Sequence, residues 1–274
     1  NIDVDDVYWD LVNVGFSIRC LADEITTGCT DPEACNYDDT ANVDDGSCEY
    51  DPVTIPEANH IYFNTGDVLV DEISTTPLNQ NNVNQPVIAD SFNSLDCAYW
   101  NGYGTGSGGN HGSPGGDGCY LYSNGVLVGG GTATFDFWVK WEGLDDNGNN
   151  AQAMIYERGT WYGLTQLQYT ASEDKLRFTQ GSSDNYFFNI IPSLGDQNWH
   201  HILVAKTNNF VTIYLDGAHM GDSQTSTGGN ASYTYFGSTR GRNELWKGWM
   251  HKFRIWNNVV FTPEEALSAY LEEA

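Results

Sequence analysis

Oxygen ligands crowd one short stretch of this sequence, GCTDPEACNYDDTANVDDGSCEY over residues 28–50. Asn36 and Asp38, then Asp44 and Asp45 before Gly46, stand at the short spacings a hard cation needs. Calcium gathers about six to eight oxygens, and a glycine permits the tight turn between them. The expected ligands are Asp31, Asn36, Asp38, Asp44 and Asp45. From Cys20 to Val139 there is no Lys or Arg, while Asp and Glu number 18. Carboxylates without cationic neighbours either tolerate their repulsion as a soluble acidic surface or bind metal. A second acid-rich loop, Asp145, Asp146, Asn147, Asn149 and Asn150, reads either as a solvated turn or as another calcium site.

Six cysteines, Cys20, Cys29, Cys35, Cys48, Cys97 and Cys119, are even in number and contain no C-x-x-C pair. That favours disulfides and an oxidising, extracellular compartment over zinc. Cys97 and Cys119 flank the Gly-rich stretch GYGTGSGGNHGSPGGDG and are expected to pair, closing a loop worth up to ~3 kcal/mol. Cys20, Cys29, Cys35 and Cys48 would then pair among themselves, or Cys20 with another chain. Adjacent His200 and His201 invite a metal reading. Neighbours on a strand point to opposite faces, so the expectation is one buried and one exposed histidine. No G-x-S-x-G element and no phosphate loop occurs. Asn230-Ala-Ser232 is a glycosylation sequon, meaningful only in a eukaryotic host.

Elements must position these groups, and the composition says which kind. Nine Trp, 16 Tyr and 12 Phe can fill a large core, and 30 Gly fit short strands with many turns better than long helices. A formal net charge of −26 repels nucleic acid and anionic membrane. No apolar run reaches the ~18–20 residues that span a bilayer. The polar opening NIDVDDVYWD has no leader-like apolar run, so a mature product or an excised piece is expected.

Residues 1–24 contain VYWDLVNVGFSIRC, in which Val14, Phe16 and Ile18 alternate as in a half-buried strand. Residues 28–50 are too small and polar for a core and need disulfides or metal. DPVTIPE marks a linker, residues 51–57. From residue 58 onward the chain reads as successive strands. ATFDFWVKW alternates Phe135, Phe137, Val139 and Trp141 against Thr134, Asp136, Trp138 and Lys140. WHHILVAK and FVTIYLDG form a hairpin-like pair across Asn208-Asn209, and Asp216-Gly217 turns the chain toward AHMGDS. WKGWMHKFRIWNNV is a further long strand. Thr262 as N-cap, Pro263 at the first helical position and Glu265 in a capping box predict a C-terminal helix.

The blocks FDFWVKW, QNWHHILVAKTNNFVTIYLDGAHMG, SYTYFGS and WMHKFRIWNNVVFTPEEALSAY resemble the laminin-G-like, pentraxin-like and concanavalin-A-like sandwich family over residues 58–274. The resemblance implies an all-β fold, an antiparallel β-sandwich of jelly-roll type with a short C-terminal helix. Residues 28–50 resemble the repeat GCTDxxACNYxxxAxxDDGSC of secreted marine bacterial proteins, which implies a small N-terminal module stabilised by disulfides and calcium. GFSIRC, ending at Cys20, is similar to the close of a Fibrobacter-type major paralogous domain. Hydrolases related to the sandwich family carry E-x-D-x-x-E or a close variant on one strand. No such run occurs here, since Glu142-Gly-Leu-Asp145 has the wrong spacing and runs into a loop, so no hydrolase is expected.

Two functions remain. One is a calcium-stabilised subunit of a cell-surface filament or matrix, in which residues 1–24 pair with a neighbouring copy. The alternative is a calcium-dependent, lectin-like module of a larger adhesin or polysaccharide-degrading system, binding extracellular glycan through exposed aromatics such as Trp100, Trp161 and Tyr162.

Overall fold

The computed structural model describes residues 25–32, 34–51, 53–64, 69–80, 87–92, 95–102, 120–144, 151–158, 163–181, 184–225, 231–238 and 244–274. The strand segment 1–24 with Cys20, the Gly-rich stretch with Cys119, the loop Asp145–Asn150, and Trp161, Tyr162 and Asn230 lie outside the described residues. The chain divides into two compact units, Asn1–Asp51 and Pro52–Ala274.

In the first unit, β1 (Thr27–Gly28) pairs in parallel with β2 (Val43–Asp44). Two residues per strand bury almost nothing, so covalent and polar ties do the holding. Cys29 is bonded to Cys48 with Cα atoms 4.7 Å apart. Closing a loop across 19 positions restricts the unfolded chain by roughly 3 kcal/mol. Asn36 adds a second tie: its Oδ1 accepts from Glu49 N at 2.7 Å and its amide donates to Ser47 O. Cys35 is exposed and its thiol is not in a disulfide.

The second unit is a sandwich. Its strands are, in chain order, β3 (His60–Tyr62), β4 (Asn79–Gln80), β5 (Val87–Phe92), β6 (Leu95–Asn101) and β7 (Leu121–Ser123). There follow β8 (Ala133–Trp141), β9 (Ala151–Arg158), β10 (Gly163–Thr170), β11 (Lys175–Gln180) and β12 (Asp184–Asn189). The last are β13 (His200–Lys206), β14 (Phe210–Leu215), β15 (Ala218–Gln224), β16 (Tyr233–Phe236) and β17 (Lys247–Asn257). A seven-stranded sheet has the order β12-β11-β10-β9-β16-β7-β4. An eight-stranded sheet has the order β15-β14-β13-β8-β17-β6-β5, with β3 also on β17. Every strand pairing in both sheets is antiparallel. Alternate residues of each strand meet in one core: Phe135, Phe137 and Val139 from β8, Ile202 and Val204 from β13, against Leu167, Leu176 and Phe178 of the other sheet.

The stretch expected to be a linker joins this unit. Ile55 and Ala58 pack beside Trp256, whose Nε1 donates to Pro56 O at 2.7 Å, and Val53 N donates to Ser268 Oγ. Asp216 and Gly217 adopt φ of 51° and 77°, the left-handed pair of a tight hairpin between β14 and β15.

Helix α1 (Pro263–Leu271) starts as the sequence predicts, with Thr262 and Glu265 in a reciprocal capping box. It covers the outer face of the eight-stranded sheet, placing Ala266 and Ala269 on Leu203, Ala205, Tyr214 and Trp256. The histidine expectation is corrected: both His200 and His201 are buried, only His201 by that cover. They do face opposite ways. His201 lies under the helix between Trp138 and Tyr270, with Nε2 2.9 Å from Asp136 Oδ2. His200 sits between two carboxylates, Nδ1 2.8 Å from Asp216 and Nε2 3.0 Å from Asp196.

Candidate functional site

The outer face of the seven-stranded sheet carries the polar and aromatic groups that the core leaves out. Leu176 and Phe178 of β11 enter the core, so Lys175, Arg177 and Thr179 face outward. By the same alternation Gln166, Gln168 and Thr170 of β10 and Phe187 of β12 face outward. Strand register then lines them up. Ala153 is opposite Gln168, Gln168 opposite Arg177, and Arg177 opposite Phe187.

Glu244 completes this row from a distant segment. Its carbonyl accepts from Ala153 N at 2.7 Å, and Leu245 bridges to Ala153 in parallel. Its φ of 54° is unusual for a residue with a side chain. The small Ala153 between them lets the carboxylate reach β10, where Glu244 Oε2 accepts from Gln168 Nε2 at 2.7 Å. Arg177 Nη2 stands 3.6 Å from Glu244 Oε1, an ion pair too long to be a hydrogen bond. Arg177 Nε and Gln168 Oε1 are buried with no hydrogen-bond partner. Arg177 and Glu244 keep 20% and 32% of their side chains exposed, and Phe187 is 49% exposed. The row thus offers an acceptor in Glu244, a donor in Arg177 and an accessible ring, with the buried Gln168 amide holding Glu244 in place.

The neighbouring row is aromatic. Tyr122, Tyr235 and Tyr156 are successive partners across β7, β16 and β9, with Tyr120 and Tyr233 beside them. Tyr120, Tyr156 and Tyr235 are buried, and burial pushes the Tyr235 hydroxyl above its ordinary range, with the surrounding tyrosines adding to the effect. They form a packed wall beside the polar row.

Acids elsewhere in this unit are committed to structure. Asp71 accepts from Ile61 N at 2.9 Å and lies 2.7 Å from His60 Nδ1. Glu157 takes Leu127 N, Val128 N, Gly129 N and Thr234 Oγ1, which pins the 127–129 loop. Burial pushes its carboxyl up even so. On the outer face, Glu244 beside Arg177 and Glu173 beside Lys175 are each engaged with a cation.

The sequence-predicted residues fall elsewhere. Trp100 is not an exposed aromatic: it is fully buried, edge-on to Phe63 at 5.4 Å. A Cβ at Gly237 would stand 2.3 Å from its indole. In the first unit the expected calcium ligands serve their own turns. Asp38 accepts from Thr40 N and Oγ1, Asp44 from Gly46 N, Asp45 from Ser47 N, and Asp31 from Tyr50 OH. No group of three or more His, Cys, Asp or Glu that could hold a metal occurs among the described residues. Cys97 is buried on β6.

Gln168, Arg177, Phe187 and Glu244 were missed. The pattern Leu176-Arg177-Phe178 carried a signal for Arg177, and Phe187-Phe188 must put one ring outside. Nothing local linked Glu244 to them.

The family model described as "Concanavalin A-like lectin/glucanases superfamily" matches residues 113–266. No curated protein matches the chain. Among solved structures, the binding domain of botulinum neurotoxin serotype G is similar at 15% identity and a TM-score of 0.57, covering 79% of this chain and 51% of that one. The binding domain of Paraclostridial Mosquitocidal Protein 1 is similar at 12% identity and a TM-score of 0.58, covering 77% and 52%. This chain therefore spans about half the length of the structures it resembles, and at such identities the likeness is one of fold.

Proposed function

Because the chain belongs to the concanavalin A-like lectin/glucanases superfamily, we propose that its second unit is a non-catalytic module that binds extracellular glycan on the outer face of the seven-stranded sheet. The observation that supports this most is the row Glu244, Gln168, Arg177 and Phe187. Its donors and acceptors are incompletely used, and an exposed ring lies at its end. Sugars are recognised by such planar polar groups for their hydroxyls and by aromatic faces for their apolar side. The engagement of Glu244 with Arg177 and of Glu173 with Lys175 supports binding without hydrolysis, which needs two carboxyl groups facing each other across the scissile bond. The extracellular setting is supported by the Cys29–Cys48 bond.

Incubation with a panel of immobilised polysaccharides tests the reading. The protein is expected to be retained by at least one of them and to release no soluble sugar from any. Product release abolished by a single Asp or Glu substitution overturns the non-catalytic part.

Two finer elements rest on sequence alone. Calcium in residues 28–50 is supported by their density of acids without cations. Self-association through residues 1–24, building a filament, is supported by their alternating apolar strip. A deletion of residues 1–24 is expected to leave a folded monomer while the full chain assembles, read by light scattering with calcium present. A full chain that stays monomeric at high concentration refutes the assembly.

A further inference from the structure

Resting on the binding reading above, we propose that this face selects neutral glycans bearing adjacent free hydroxyls and rejects uronate and sulfated ones. The charge balance of the face carries the argument. Its described outward-facing cations are Arg177 and Lys175, and each already faces a carboxylate. Arg177 Nη2 is 3.6 Å from Glu244 Oε1, and Lys175 Nζ is 2.9 Å from Glu173 Oε2. Among the described residues of the face, each cation is thus matched by a carboxylate. A uronate drawn to Arg177 meets the Glu244 carboxylate beside it, within a chain of formal net charge −26. Like charges at that distance oppose binding, most strongly where water is excluded.

A neutral diol meets the opposite situation. One hydroxyl can donate to Glu244, whose Oε2 is held by Gln168 and whose Oε1 has no hydrogen bond to Arg177. The adjacent hydroxyl can accept from the exposed end of the Arg177 guanidinium, whose Nη2 stands 3.6 Å from Glu244, too far for a hydrogen bond. Hydrogen bonds to charged groups are the stronger kind, and the diol supplies them without adding charge. Phe187, opposite Arg177 in register and 49% exposed, offers its ring to the carbon face of the sugar. Ala153 and Gln168 are fully buried, so the part of the row a sugar can reach is Glu244, Arg177 and Phe187. Gln168 is a positioning residue here: it is fully buried and fixes the Glu244 carboxylate.

Affinity electrophoresis of the full chain tests this with three sets of soluble polysaccharides. The neutral set is laminarin, galactomannan and arabinan. The uronate set is alginate and polygalacturonate, and the sulfated probe is dextran sulfate. Retardation by at least one neutral polymer is expected, with none by the anionic polymers at low salt. Phe187→Ala and Glu244→Gln should each weaken neutral binding tenfold or more at an unchanged melting temperature. Preferential binding of alginate, polygalacturonate or dextran sulfate overturns the selectivity while leaving the module a glycan binder. Neutral binding unmoved by both substitutions overturns the site. Absence of binding to every polymer sinks the underlying reading, and the selectivity with it.

Discussion

Arg254 and Asp136 occupy paired positions on β17 and β8, and the guanidinium grips the carboxylate with two bonds, Nε to Oδ1 at 2.9 Å and Nη2 to Oδ2 at 2.6 Å. The same guanidinium reaches Ala269 O at 3.1 Å and the Glu272 carboxylate, so it ties the sheet to the end of α1. Burial alone would raise the Asp136 carboxyl. Arg254 and His201 outweigh it and hold that carboxyl below its ordinary value.

Removing one partner leaves the other charge buried. Arg254→Met is therefore expected to destabilise the protein by about 3–5 kcal/mol, a fall in Tm of roughly 6–20 °C for a domain of this size. Calorimetry at neutral pH measures it. A shift under about 2 °C, within the reach of a surface substitution, contradicts the role given to the pair.

His200 gives a pH signature of known sign. Burial opposes its charge, but its hydrogen bonds to the Asp216 and Asp196 carboxylates prevail and raise its pKa above the ordinary value of 6.5. The folded state then holds its proton more tightly than the unfolded state. The resulting stability is fully present below pH 6.5 and is lost as pH rises through the folded value. Denaturant melts of wild type and His200→Gln should differ most at acid pH and converge at alkaline pH. A gap that widens with pH refutes the assignment.

Lys206 has the opposite sign. It is buried and donates to Gly129 O at 2.8 Å and to Gly131 O. Burial pulls its pKa from 10.5 down to about 8, with Glu157 opposing the fall. Between those values the unfolded chain binds more protons, so stability gains with rising pH across that window. Relative to Lys206→Met, wild type should gain up to about 3 kcal/mol between pH 8 and 10.5. The comparison with the variant removes the tyrosines, which titrate nearby. An unchanged difference across the window would show that Lys206 keeps its ordinary pKa.

Calcium is tested on the first unit. Added calcium is expected to protect residues 28–50 from proteolysis and chelator to expose them, with Cys29–Cys48 intact in both. Peptide mapping without reductant reads the cuts and the pairing together, and is expected to join Cys97 to Cys119. Identical cutting with calcium and with chelator eliminates the ion.

The sequence by itself determined whatever depends on neighbours along the chain. The alternation in Phe135, Phe137 and Val139 made β8, the left-handed tolerance of Asp216-Gly217 made its hairpin, and Thr262 with Glu265 made the helix start. Those preferences act within a few residues, so they are legible in a string of letters. Only the tertiary structure decided what covers a face. Helix α1 buried the outward side of β8 and β13 and with it His201, while Asp196 and Asp216 closed around His200 on the opposite face. The core claimed Trp100, because Gly237 leaves it room. The row from Glu244 to Phe187 was fixed by strand register among β9, β10, β11 and β12 and by a segment 91 positions beyond Ala153 (244 minus 153). Register is an outcome of how whole sheets pack, and no local pattern encodes which distant residue will stand beside which.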